Sequence, residues 1–166
     1  MSLKQGLAPV WSPDARVLIL GSLPGDASLA AQQYYGHPRN AFWRLVGSAI
    51  DTDLVGLPYP QRIIALRDAH VALWDVLAEA IRPGSLDSAI REERTNDLAA
   101  FLDGLPDLSA IAFNGGKAAR LGERLLAGVR PAVIRLTLPS SSPAYTLGID
   151  LKKAAWLNLR PALGLS

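Results

Sequence analysis

The chain has 166 residues, 49% of them hydrophobic, which suits one compact domain over residues 1–166 that buries a full core without metal or disulfide staples. A formal net charge of only +2 leaves any nucleic-acid binding to a local patch. The absence of cysteine excludes disulfides, thiolate metal sites, cysteine nucleophiles and iron–sulfur clusters, and the two histidines, His37 and His70, stand too far apart in sequence to suggest a metal site. No apolar stretch is long enough for a signal peptide or a membrane span, so a soluble, cytoplasmic protein is expected.

The first short apolar run, RVLIL from Arg16 to Leu20, stops at the turn GSLPG. Phe42, Leu45, Val46, Ala49 and Ile50 then keep the spacing of one helix face. HVALW, His70 to Trp74, stops at Asp75, and Leu98, Phe101, Leu102 and Leu105 mark a second helix. LSAIAF, Leu108 to Phe113, stops at NGG; a third helix should open after Gly115 and Gly116, with Ala118, Leu121 and Leu125 inward. AVIRLTL, Ala132 to Leu138, stops at PSSSP, and a last helix is expected after Asp150, its N-cap, through Leu151, Ala155 and Leu159. Brief, nearly continuous apolar runs that end in turn residues fit strands covered on both faces. Their alternation with helices predicts an α/β chain: a three-layer α/β/α sandwich with a central, mainly parallel four-stranded sheet and right-handed crossovers.

In such a sheet ligands bind beyond the carboxyl ends of the strands, here GSLPG, WDVL, FNGG and LPSSSP. Several chemistries are disfavoured at these ends. Neither glycine-rich turn completes a phosphate loop, no G-x-G-x-x-G follows the first strand, and no G-x-S-x-G elbow exists. Nothing places an orienting carboxylate beside His37 to activate Ser140, Ser141 or Ser142, and a serine-rich turn is the plainer reading.

The stretch GSLPGDASLAAQQYYGHPRNAFW, together with LPSSSPAY, resembles the uracil-DNA glycosylase superfamily, and most closely its hypoxanthine-DNA glycosylase branch. The segments ALWDVL, GSLDSAI and FNGGKAA resemble the same branch, so the likeness runs from about Arg16 to Arg160. The first motif is also similar to that of mismatch-specific uracil/thymine glycosylases. The resemblance implies cofactor-free hydrolysis of the N-glycosidic bond of a deaminated base flipped out of DNA, hypoxanthine first, with uracil or xanthine as further substrates. Such an enzyme must extrude the nucleotide, hold the base by stacking and edge hydrogen bonds, and stabilise an oxocarbenium-like sugar.

Residue by residue, Ser22 and Leu23 of the first motif are expected at the base pocket. Leu23 stands where most branches carry an Asp or Asn that positions the attacking water, and it has no polar group. The resemblance passes the catalytic role to Asn40, whose amide can orient a water but is too weak a base to deprotonate it. From the residues alone, Asn40 reads first as a cap of the helix that begins near Ala41, and the resemblance reverses that order. Tyr35 aligns with an aromatic that stacks on the flipped base, whereas Tyr34 reads as a core residue and His37 as a shaper of the turn before Pro38. Asp75 occupies the place of an asparagine that reads the base edge in uracil-specific enzymes, and as a carboxylate it would accept from the N1–H of hypoxanthine. Asn114 is expected to donate to a base carbonyl or to face the sugar; capping and turn roles remain open for Asp75 and Asn114.

The loop Pro139, Ser140, Ser141, Ser142, Pro143 is expected to pinch phosphates, with Pro143, Ala144 and Tyr145 as the wedge, and Arg39, Lys117 and Arg120 as further phosphate contacts. No lysine aligns with a lyase nucleophile, so a monofunctional, monomeric, metal-free enzyme is expected, with DNA as partner. A mismatch-type uracil glycosylase and a non-catalytic DNA-damage-binding module are the alternatives.

Overall fold

A computed structural model describes residues 3–82, 85–87 and 90–166. In chain order the elements are β1 (Leu3–Gln5), β2 (Val17–Gly21), α1 (Asp26–Ala31), α2 (Phe42–Ala49), α3 (Tyr59–Asp68), β3 (Val71–Asp75), β4 (Leu77–Ile81), β5 (Arg91–Thr95), α4 (Leu98–Leu102), β6 (Ala110–Asn114), α5 (Gly116–Leu125), β7 (Ile134–Leu138) and α6 (Ile149–Trp156). The four expected strands form a wholly parallel sheet in the order β3-β2-β6-β7.

Alternation along β2 builds the two apolar layers. Val17 and Ile19 pack with Phe42, Leu45 and Val46 of α2, Leu66 of α3 and Trp156 of α6. Leu18 and Leu20 pack on the other face with Leu98 and Leu102 of α4 and Ala118 of α5. The three-layer sandwich predicted from the sequence is therefore observed. Among the described residues no helix is long and apolar enough to cross a membrane.

Two helices present different faces from those expected. In α5 the inward stripe is Ala118, Gly122 and Leu126, and Leu125 is exposed. A Cβ on Gly122 would lie 2.3 Å from the ring of Phe113, so the bare glycine lets the helix rest directly on β6. In α6 Gly148, not Asp150, precedes the first turn; Asp150 lies within that turn, where its charge favours the helix N-terminus. Leu151 is 62% exposed while Lys152 points inward with Trp156 and Leu159, because the ammonium of Lys152 reaches the carbonyl of Ser142 at 3.1 Å.

A second sheet was not anticipated: β1, β4 and β5 run antiparallel in the order β1-β4-β5. REERT in β5 carries no apolar alternation, and it pairs because backbone bonds and the Arg94–Glu79 ion pair (2.6 Å) join it to β4.

Candidate active site

Chain connections from β2 and β6 leave in opposite directions across the sheet, β2 towards β3 and β6 towards β7. The crevice beyond these two neighbouring strands is the topological switch point, where open α/β sheets bind ligands. A pocket of about 530 Å³ opens there, of small-molecule size. It gathers Ser22, Leu23, Tyr35, Asn40, Asp75, Asn114, Ser140, Ser141, Ser142, Pro143 and Tyr145 from five separate stretches of chain. Arg39, Lys117 and Pro139 are not among its lining residues.

Gly21 makes the floor possible. It ends β2 opposite Asp75 of β3, and a Cβ there would stand 2.6 Å from Asp75 Oδ1 and 2.9 Å from Tyr35 Oη. Asp75 is only 4% exposed, and its Oδ2 has no hydrogen-bond partner among the described residues. Burial, aided by the nearby Asp87 carboxylate and opposed by Arg82, pushes its pKa from 3.8 up to about 7. A carboxyl without a direct cationic partner is expelled from its charged form by the low-dielectric surroundings.

Tyr35 is held from three sides. Its backbone sits in the left-handed region (φ 51°), a conformation costing about 1–2 kcal/mol in a non-glycine residue. Its ring stacks on Phe42 with centroids 3.9 Å apart, and its hydroxyl accepts from Asn114 Nδ2 at 3.1 Å. Phe42 covers one ring face, and Tyr35 is among the residues that line the pocket. Burial raises the pKa values of Tyr34 and Tyr35, so both phenols stay neutral. Tyr34 is a core residue, as its sequence suggests, with its hydroxyl on the Ala8 carbonyl at 2.8 Å, and it also touches the pocket.

Asn114 departs from the expected base contact. Both its amide hydrogens are committed, one to Tyr35 Oη and one to Ser141 Oγ (2.9 Å), while Oδ1 accepts from Ser141 N–H at 2.9 Å. Asn114 therefore ties the stacking tyrosine to the serine loop instead of presenting a free donor. That loop is fixed further by Ala41 N–H donating to the Ser141 carbonyl at 3.0 Å and by Trp156 Nε1 donating to Pro139 O at 2.9 Å. The hydroxyls of Ser140 and Ser142 accept from backbone N–H groups of Ser142 and Ala144 (3.2 Å each). These are hydroxyl turns of the kind the serine-rich sequence suggested. Tyr145 at the tip is 49% exposed.

Asn40 is half-buried in the pocket wall, and its Oδ1 accepts from Phe42 N–H at 3.0 Å. The two sequence readings of this residue are compatible. One lone pair fixes the amide against the start of α2, and an amide oxygen keeps a second lone pair. His37 accepts from Arg39 N–H through Nδ1 at 3.1 Å, the turn-shaping role its position suggested.

Ser22 and Leu23 hold the first motif in place. Ser22 Oγ donates to Asp87 Oδ1 at 2.7 Å, and Leu23 packs with Leu77 and Ala80. Arg82, 1% exposed, donates to the carbonyls of Leu23 and Pro24 and pairs with Asp87. Arg82 and Asp87 were not singled out from sequence. The signal was the GSLDSAI similarity, which contains Asp87; Gly84, Ser88 and Ala89 of that stretch lie outside the described residues. Lys117 is ion-paired with Glu93, and Arg39 is exposed.

Asp75 at the floor, the Tyr35 ring and the Asn40 amide thus line one pocket at the switch point of a three-layer α/β fold. The family model of the Uracil DNA glycosylase superfamily matches residues 8–160, and the chain belongs to that superfamily. It is 40% identical over 153 residues to a hypoxanthine DNA glycosylase of Methanosarcina barkeri, covering 92% of this chain and 95% of the relative. It is 43% identical over 154 residues to one of Methanosarcina acetivorans, covering 93% and 96%. A solution NMR structure of a Methanosarcina acetivorans protein assigned to the uracil DNA glycosylases superposes with a TM-score of 0.87 at 39% identity, covering 98% of this chain and 99% of that one.

Proposed function

We propose that this DNA glycosylase removes deaminated bases, hypoxanthine first, by flipping the nucleotide into the switch-point pocket and hydrolysing its N-glycosidic bond to leave an abasic site. The observation that carries the reading is the convergence of Asp75, Tyr35 and the Asn40 amide on one pocket of about 530 Å³. Stacking on Tyr35 contributes about 1–3 kcal/mol and helps offset the unstacking that extrusion requires. Asp75 meets the base edge, and the second lone pair of Asn40 Oδ1 orients water towards the anomeric carbon. Because an amide does not deprotonate that water, the rate comes from orientation and from electrostatic stabilisation of the cationic sugar and departing base.

The serine loop, held by Asn114 and Ala41, meets the backbone, with Pro143 and Tyr145 entering the helix and Arg39 beside them on phosphate. Lys117 is engaged by Glu93, and Lys152 is buried against the Ser142 carbonyl outside the pocket lining. Both placements favour a monofunctional enzyme over a lyase. The same reading makes the protein a cytoplasmic monomer with one face open for DNA.

The test is incubation with duplex oligonucleotides carrying one deoxyinosine, deoxyuridine or deoxyxanthosine, followed by alkali. Preferential cutting at deoxyinosine is expected. Asn40→Ala should lose at least about a hundredfold in excision while binding the same duplex nearly as well. Cutting that survives this substitution refutes the role of Asn40, and a borohydride-trapped adduct refutes monofunctionality.

A further inference from the structure

We propose that Asp75 reads its base as a neutral carboxylic acid, one oxygen accepting from a ring N–H and the other donating to the adjacent carbonyl oxygen. The proposal rests on the glycosylase reading above and gives the base-contacting group a protonation state. It replaces the accepting carboxylate that the sequence suggests.

The geometry supplies the argument. Asp75 is buried at the pocket floor, wedged against Gly21, with one oxygen unpartnered among the described residues. Among the described residues, the groups that face it give it no cation of its own. Arg82, at the end of β4, is engaged by the carbonyls of Leu23 and Pro24 and by Asp87. Asp87, in the segment after β4, brings a second carboxyl and raises the pKa of Asp75. From the segment before α2, the phenols of Tyr34 and Tyr35 are neutral. Asn114 on β6 has both donors committed elsewhere. Burial and Asp87 together hold the carboxyl at a pKa of about 7.

A neutral carboxyl carries one donor and one acceptor side by side, whereas an ionised one only accepts. The lactam edge of hypoxanthine, N1–H beside C6=O, complements the neutral form with two hydrogen bonds. Against a carboxylate the same edge gains one bond and sets O6 against a charged oxygen. Uracil and xanthine present the same lactam edge, so the neutral carboxyl holds each of these deaminated bases in the same way.

Single-turnover excision of deoxyinosine from about pH 6 to about pH 8 tests this. The native rate should fall about tenfold over that range as Asp75 ionises. Asp75→Asn, whose amide offers a donor and an acceptor at every pH, should flatten the profile to within about twofold. A limb that persists in Asp75→Asn, or a native rate that rises with pH, overturns the proposal. Carbon-13 NMR of the Asp75 carboxyl in the uncomplexed protein decides independently of activity: a midpoint near 7 supports it, and one near 4 overturns it. Absence of deoxyinosine cutting at every pH would instead remove the hypoxanthine assignment, with the NMR result still judging the protonation state.

Discussion

Replacing Asp75 by asparagine should change how stability depends on pH, whatever DNA does. In the folded protein the carboxyl titrates near 7 and in the unfolded chain near its ordinary 3.8. The native state thus holds a proton that the unfolded chain releases earlier. Stability from this group is fully present below about pH 4 and is lost as pH rises through about 7. The difference is about 3 pKa units at about 1.4 kcal/mol each, so about 4 kcal/mol disappears between pH 4 and pH 8. Asp75→Asn removes this dependence. Its buried amide adds an offset of about 1–3 kcal/mol if unpartnered, but that offset does not vary with pH. For a chain of this length 1 kcal/mol moves Tm by about 2–4 °C. About 3 kcal/mol of this is still to be lost above pH 5, so thermal melts of both proteins between about pH 5 and pH 8.5 should show the variant gaining about 8 °C on the native protein towards alkaline pH. A gap that stays constant across that range refutes the reasoning, because it would mean that Asp75 is already ionised when buried.

Two other substitutions test the scaffold of the pocket. Gly21→Ala puts a methyl into the space of Asp75 Oδ1 and Tyr35 Oη; it should cost about 1–3 kcal/mol in denaturant melts and weaken capture of a base analogue such as 2-aminopurine opposite a mismatch, read by fluorescence. Arg82→Met should leave the Leu23 and Pro24 carbonyls and Asp87 without their shared donor, lowering stability by about 1.5–3 kcal/mol and raising hydrogen exchange in the first motif more than in β6; equal protection in both places would show that Arg82 does not hold the motif.

The central sheet was legible because β2, β3, β6 and β7 are short apolar runs that end in turn residues, and burial on both faces leaves that trace in any sequence. The helix α3 was not read, since PYPQRIIALRDA buries only Leu66 fully and shows little amphipathic contrast. A proline in the first turn was the available signal. β5 was hidden because an exposed strand held by cross-strand charge looks like a solvated loop. At the site, motif similarity found the lining residues, but not what their polar atoms do. Asn114 looks like a free amide until Ser141 and Tyr35 are brought to it from distant positions in the chain. The pKa of Asp75 likewise depends on Asp87, Arg82 and the depth of the floor, none of which has a local sequence signature.

The wiring of Asn114 to Tyr35 and Ser141 also sets a schedule. Pocket residues run from Gly21 to Tyr145, and the stacking tyrosine gains its anchor only after β6 has paired and the segment beyond β7 has folded back. During synthesis at about 5–20 residues per second, the first motif leaves the ribosome several seconds before the loop that completes it. A nascent chain that ends just after β7 holds all four strands of the central sheet but lacks the wall that Ser140 to Tyr145 add to the pocket.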